Sequence, residues 1–339
     1  MVSAPPCHGG GRGFKSRPGR KGFGVVLVKG RYQNLVWLGS SVGTSERLKI
    51  VRSPVRSRPK PHSLYCNQMN SRPYEDVLFV SFGSNPEWNL ARLRLLRSLE
   101  KHFEYSSKFI VDQNWLVETS LYQENRTFFQ QNRRGYGLWV WKPLLIKEAI
   151  LRFPKAKYIV YLDMGCDLNI NQKSIQCLDN YLKLAKTYEG FAFELNLKEI
   201  EWTSKYVLEY FGASQSIQNQ VSASVLIFIN SKKVGSFLDT WLSLMKNDDF
   251  YLTKGDRNLT PNDMDHHRHD QSILSLLWHQ STMVAIPDET YLKSNLKFDS
   301  TKPFWVSRNR EMLKIDSPAF ARQAVRIARK IFLLIKGFR

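Results

Sequence analysis

Six short apolar, β-branched runs punctuate the middle of the chain: 76–82 (DVLFVSF), 108–112 (KFIVD), 157–163 (KYIVYLD), 190–195 (GFAFEL), 222–230 (SASVLIFIN) and 283–288 (MVAIPD). Each is nearly continuous in apolar character, the pattern of strands buried on both faces. Segments of helical spacing lie between them, at 90–103, 119–131, 143–153, 174–188, 202–211, 232–246 and 270–279. Pro143 suits a first helical turn, where its missing N–H costs nothing. Strands alternating with helices predict an α/β fold, with a mainly parallel sheet flanked by helices in a single domain. Ligands of such folds bind outside the carboxyl ends of the strands, so residues that directly follow strands are the first candidates for a site.

Both ends of the chain depart from this pattern. The 339 residues carry 50 Lys+Arg against 30 Asp+Glu, a net charge of +20 that taken whole points to nucleic acid or an anionic membrane. Residues 1–68 hold +12 of it and 318–339 hold +6, whereas 69–317 are near neutral at +2. A nearly neutral body removes the electrostatic case for nucleic acid as partner of the folded part. Residues 1–68 have apolar clusters only at 24–28 and 35–38 and no sustained helical period, so they read as disordered. An Arg-rich transit peptide and a basic arm are two readings of this segment. A third fits its residues better. Gly13-Phe14-Lys15-Ser16-Arg17 is what the T-arm of a transfer-RNA gene gives when translated, and Val51-Arg52-Ser53 is similar, which makes 1–68 a spurious extension ahead of a start at Met69. Cys166 and Cys177 then remain, too few for a disulfide framework and consistent with a reducing compartment. Residues 319–339 (AFARQAVRIARKIFLLIKGFR) place cations at three- and four-residue steps opposite apolar positions. They are too short to span a bilayer, and read either as a basic amphipathic helix lying on an anionic membrane or as a terminal helix packed on the domain.

Three constellations carry chemistry. In 158–169 (YIVYLDMGCDLN) an apolar strand runs into Asp163, then Gly165, then Asp167. Mg²⁺ or Mn²⁺ held against a diphosphate commonly uses one or two such carboxylates plus phosphate oxygens. The alternative is that Asp163 caps the next turn. In 132–143 (NRRGYGLWVWKP) Lys142 stands at a helix start and would meet an anion such as a pyrophosphate. Trp139 and Trp141 either stack on a base or sugar or simply pack. In 265–272 (DHHRHDQS) the spacing of His266, His267 and His269 does not suit a transition metal. Asp270 opens an apolar helix, either as an N-cap or as a positioned base for a hydroxyl proton.

Together the strand ending in Asp163, the preceding Gly-Tyr-Gly-Leu-Trp-Val-Trp-Lys-Pro block and the downstream His-Asp-Gln-Ser helix resemble GT-A-type nucleotide-sugar glycosyltransferases. The resemblance runs over residues 76–312 and is to bacterial enzymes that act on surface polysaccharide. It implies a GT-A-like, Rossmann-related fold over 69–317, a nucleotide-sugar donor, a glycan or lipid-linked glycan acceptor, and Mn²⁺ or Mg²⁺ held by Asp163 and Asp167. Asp270 and Gln271 would then serve the acceptor. Ser81 and Gly83 would lie at the nucleotide, and Lys142 and Arg308, with Lys302 and Arg310, at the diphosphate. Glu194, Glu201 and Gln220 would line the acceptor cleft. The usual metal motif is Asp-x-Asp, whereas Gly165 occupies its third position here. The expected location is the cytoplasm, peripheral to the inner face of the membrane through 319–339. A metal-dependent phosphoesterase using Asp163, Asp167 and the histidines, and a non-catalytic nucleic-acid binder using the basic ends, are the competing classes.

Overall fold

The computed structural model describes residues 72–255, 266–291 and 298–312, without the side chains of 248 and 249. The expected extension 1–68 and amphipathic segment 319–339 therefore lie outside the described residues. In chain order the elements are β1 (Val77–Phe82), α1 (Asn89–His102), β2 (Ser107–Val111), α2 (Gln113–Val117), α3 (Ser120–Glu124), α4 (Arg126–Gln131), the single turn α5 (Gly135–Leu138) and α6 (Lys142–Arg152). Next come β3 (Tyr158–Leu162), β4 (Asp167–Leu168), α7 (Gln172–Tyr188), β5 (Gly190–Lys198), α8 (Glu199–Trp202) and α9 (Lys205–Tyr210). The order closes with β6 (Asn219–Val221), β7 (Val225–Ile229), α10 (Lys232–Lys254), α11 (Asp270–His279), β8 (Val284–Pro287) and β9 (Phe304–Trp305).

All six apolar runs form strands of one seven-stranded sheet, ordered β2-β1-β3-β7-β5-β6, with β8 also paired to β5. The β1–β2, β1–β3 and β5–β8 pairings are parallel, while β3–β7, β5–β7 and β5–β6 are antiparallel. The sheet is thus mixed, yet mainly parallel in strand direction, because only β6 and β7 run against the rest. Continuous apolar runs work here because both faces are covered. Leu78, Val80, Phe82, Ile159 and Tyr161 face a core shared with α6, α10 and α11. Val77, Phe79, Val160 and Leu162 face one shared with α1 and α7. The run 222–230 is not strand throughout. Ser222, Ala223 and Ser224 form an irregular passage between β6, which pairs with β5, and β7, which pairs with both β5 and β3. Helix 119–131 is likewise broken into α3 and α4 at Asn125.

The chain leaves β1 to one side for β2 and returns on the other side as β3, so a topological switch point lies between the carboxyl ends of β1 and β3. β7 runs the other way, which brings its start to the same end: the Asp163 amide donates to the Ser224 carbonyl at 2.8 Å.

Candidate active site

A cleft of about 650 Å³ opens at this switch point. Its floor is organised by Lys142, the first residue of α6, whose side chain is 2% exposed. The ammonium lies 2.6 Å from Asp270 Oδ2 and 3.5 Å from Asp163 Oδ1, and donates to the Ala223 carbonyl at 3.0 Å. The Tyr161 hydroxyl donates to Asp163 Oδ1 at 2.7 Å. Lys142 is therefore an internal counter-ion and not, as the sequence leads one to expect, a free cation awaiting a phosphate. Burial alone would lower its pKa, but Asp163 and Asp270 outweigh burial and hold it above the ordinary value. Burial pushes the Asp270 carboxyl up to about 6, against the pull of Lys142 and with the repulsion of Asp163. Burial and the neighbouring Asp163 raise the Tyr161 phenol, which stays neutral and donates. Asp163 is the more open carboxylate, its side chain 34% exposed.

One wall comes from the Gly-Tyr-Gly-Leu-Trp block, and its conformation is unusual. Gly135, Tyr136, Gly137, Leu138 and Trp139 all have positive φ, from 52° to 88°, making a turn of left-handed helix. L-residues pay about 1–2 kcal/mol each for this. Glycine is required at both of its positions, since an added Cβ would come within 2.3 Å of the Trp139 ring at Gly135 and 2.4 Å of the Phe129 ring at Gly137. The turn sets Tyr136 and Trp139 at the cleft. Trp141 borders the cleft too, but it is buried, packed on Phe82 at 4.1 Å between ring centroids and donating its indole N–H to the Gly135 carbonyl.

The opposite rim is held by the residue expected to be a second metal ligand. Asp167 is buried and takes its charge partner from α1: Arg94 Nε lies 2.8 Å from Oδ1, while Ser307 Oγ and Asn309 Nδ2 donate to Oδ2 at 2.7 and 3.2 Å. Arg94 also donates to the carbonyls of Cys166, Asn309 and Glu311. Asp167 and β9 pair through Trp305, and Gly165 permits the close crossing, since a Cβ there would meet Arg308 Cα at 2.9 Å. Asp167 is thus a clamp on segment 304–311, and the expectation that it shares a cation with Asp163 is corrected. The clamp presents Arg308, with φ +51°, to the cleft. Arg134 and Arg268 also line the cleft. Burial and the repulsion of Arg308 and Arg134 lower Arg268 below the ordinary guanidinium value.

These residues do not fit the divalent cation that the resemblance implies. Of the three carboxylates that line the cleft, Asp270 is buried on Lys142, Glu87 stands 3.6 Å from the Arg310 guanidinium, and one oxygen of Asp163 is taken by Tyr161 and Lys142. Among the described residues no group of three His, Cys, Asp or Glu converges on a metal position.

Other expected residues fall on both sides. Gly83 and Gln271 line the cleft. Ser81 does not: it is fully buried and its hydroxyl donates to the Leu162 carbonyl at 2.6 Å, stitching β1 to β3. Gln220 is fully buried as well, donating to Trp202 O and Thr203 Oγ1 and accepting from Gln271 Nε2 at 2.8 Å. Gln271 Oε1 in turn accepts from the Ala223 amide. Gln271 thereby positions the 220–223 passage against α11. Behind it Glu199, which the sequence does not single out, accepts from Ser275 and Thr203 while buried. Glu194 accepts from Asn219, and Lys302 pairs with Glu289 away from the cleft. Of the three histidines, His267 and His269 turn inward, whereas His266 stays exposed beside Trp202. His267 Nε2–H donates to the Leu252 carbonyl and its Nδ1 accepts from the Ser204 amide, with burial holding its pKa down to about 3. Burial holds His269 down to about 4, so it is neutral, with Nδ1–H on the Thr253 carbonyl and its ring stacked on Trp139. His269 precedes Asp270 at φ +49°, and lines the cleft.

The class that fold and cleft belong to is glycosyltransferase. A family model described as the galactosyl transferase GMA12/MNN10 family matches residues 78–293, and the chain belongs to that family. The match spans the left-handed turn, Lys142, Asp163 and Asp270. No curated protein matches the chain. Solved structures with a likeness to it include a glycosyltransferase involved in the glycosylation of the major capsid of PBCV-1, 11% identical, covering 74% of this chain and 98% of that one with a TM-score of 0.41. Another is the WbbM bifunctional glycosyltransferase, 12% identical, covering 75% of this chain and 44% of that one with a TM-score of 0.38.

Proposed function

We propose that the enzyme moves a hexosyl group from a nucleoside-diphosphate sugar to a hydroxyl of a glycan acceptor in the synthesis of cell-surface polysaccharide. The observation that carries this reading is the pair of carboxylates, Asp163 and Asp270, held on one buried ammonium beneath a cleft otherwise ringed by arginines. Transfer breaks the bond between the anomeric carbon and the diphosphate oxygen, which leaves with the bonding pair, and forms one to the acceptor oxygen, whose proton passes to Asp270 or to the departing diphosphate. The arginines face the charge that develops on the leaving group, and such preorganised charges cost no rearrangement at the moment of reaction. Asp163 accepts hydrogen bonds from sugar hydroxyls. Asp270, ionised above about pH 6, accepts one from the attacking hydroxyl and orients it. Tyr136 and Trp139 offer ring faces to a sugar or base. A lipid-linked acceptor and attachment at the inner face of the membrane through 319–339 belong to the same proposal. Among the described residues no helix is long and apolar enough to cross a membrane.

A thermal-shift panel of nucleotide sugars identifies the donor, because a ligand that binds the native state raises its melting temperature. With that donor, Asp163→Asn and Asp270→Asn are expected to lower kcat about 100-fold while leaving the circular dichroism spectrum unchanged. Folded variants that release nucleoside diphosphate at the wild-type rate overturn the proposal.

A further inference from the structure

Three guanidinium groups line the cleft, none of them paired with a carboxylate among the described residues. Arg134 follows α4 beside the left-handed turn, Arg268 lies just ahead of α11, and Arg308 rides on the segment clamped by Asp167. Among the described residues none of the three forms an ion pair, although Arg268 stands close enough to the other two for their charges to depress its pKa. Each is instead braced by a ring. Arg268 lies 4.2 Å from the Trp202 centroid, Arg308 5.9 Å from that of Tyr291, and Arg134 6.0 Å from that of Trp139. Like charges gathered and held apart from counter-ions are costly unless an anion is to occupy the space between them. The planar fork of a guanidinium matches phosphate oxygens two at a time.

The same structure explains where a divalent cation would have to go and what stands there. The carboxylate at Asp163 already faces the Lys142 ammonium, and Asp167 is spent on Arg94. We propose, building on the nucleotide-sugar reading, that this transferase cradles the donor diphosphate with Arg134, Arg268 and Arg308 and holds no divalent cation. The second aspartate, Asp167, serves as the clamp that delivers Arg308.

Titration calorimetry on the full chain tests this with uridine, guanosine, cytidine and thymidine diphosphates, each in EDTA and in Mn²⁺. The nucleotide that binds is expected to do so within about twofold of the same affinity in both conditions. Arg268→Gln and Arg308→Gln are each expected to weaken it about tenfold or more, in line with loss of one charge-assisted contact, at unchanged melting temperature. Binding that requires Mn²⁺ and is lost in Asp163→Asn overturns the inference and leaves the nucleotide-sugar reading standing. Binding that ignores both arginine substitutions also overturns the inference alone. If no nucleoside diphosphate binds in either condition, the donor reading falls and the inference falls with it.

Discussion

Lys142 is the residue on which the floor of the cleft depends. Its ammonium neutralises two carboxylates that otherwise repel each other, and it is almost wholly out of water. Removing one partner of a buried pair leaves an uncompensated charge and typically costs about 3–5 kcal/mol. Lys142→Met is therefore expected to lower the unfolding free energy measured by urea denaturation by that margin. It also removes the pull that keeps Asp270 from rising further, so Asp163 pushes the Asp270 carboxyl above its wild-type value of about 6. Wild-type kcat should climb through about pH 6 as Asp270 ionises, and the acidic limb of the Lys142→Met profile should move to higher pH. A profile that stays in place would mean that Asp270 is not the group whose ionisation the reaction needs. Asp270 is legible in the sequence, because the apolar period of 270–279 begins there and leaves a carboxylate at the helix mouth. Lys142 is visible only as a cation at a helix start. Its partners, Asp163 just after β3, Ala223 in the 222–224 passage and Asp270 on α11, come later in the chain, and local pattern does not reveal which charges tertiary packing will bring to one point.

Among the elements, the turn at Gly135–Trp139 does the most with the least sequence. Its two glycines around an aromatic are conspicuous, but the run of positive φ through Tyr136, Leu138 and Trp139 is not foreseeable, because such residues rarely visit that region and only the surrounding structure over-determines it. Gly137→Ala adds a Cβ against Phe129 in a backbone region that alanine disfavours, and a loss of about 2–4 kcal/mol is expected in urea denaturation. The strain falls on the wall that sets Tyr136 and Trp139, so KM for the donor or acceptor should rise in the same variant. The strands behave differently. Their apolar runs are read correctly because burial on both faces writes itself continuously into the sequence, whereas β6, β9 and the 222–224 passage are too short to leave a period. The spacing of Asp163 and Asp167 reads as a cation site for the same reason in reverse: it displays two carboxylates and conceals Arg94, which lies far earlier in the chain and takes the second of them.

At the scale of the molecule, the charge excess sits on the two ends, and the near-neutral body carries its own pH response in buried groups. His267 and His269 pin the end of α10 to the approach of α11, each neutral and each bonded to a backbone carbonyl of 252–253. Their folded pKa values, about 3 and about 4, lie below the ordinary value of 6.5. Between those limits the unfolded chain binds more protons than the native one, so their contribution to stability is complete above about pH 6.5 and is lost as pH falls toward the folded values. Asp270 works in the opposite sense. Its folded value of about 6 exceeds the ordinary 3.8, so the native state gains from protonation over that narrower interval. Burial raises Glu199 and Asp288 in the same sense as Asp270, so the wild-type urea midpoint between pH 7.5 and pH 4.5 combines both signs and the histidine share is read by substitution. His267→Gln keeps a donor and an acceptor but no titration in this range. It is expected to be less stable than wild type at pH 7.5, through imperfect replacement of the bonds to Leu252 and Ser204, with the difference narrowing on acidification. Curves for the two proteins that run parallel between pH 7.5 and pH 4.5 would place the acid sensitivity elsewhere than at His267.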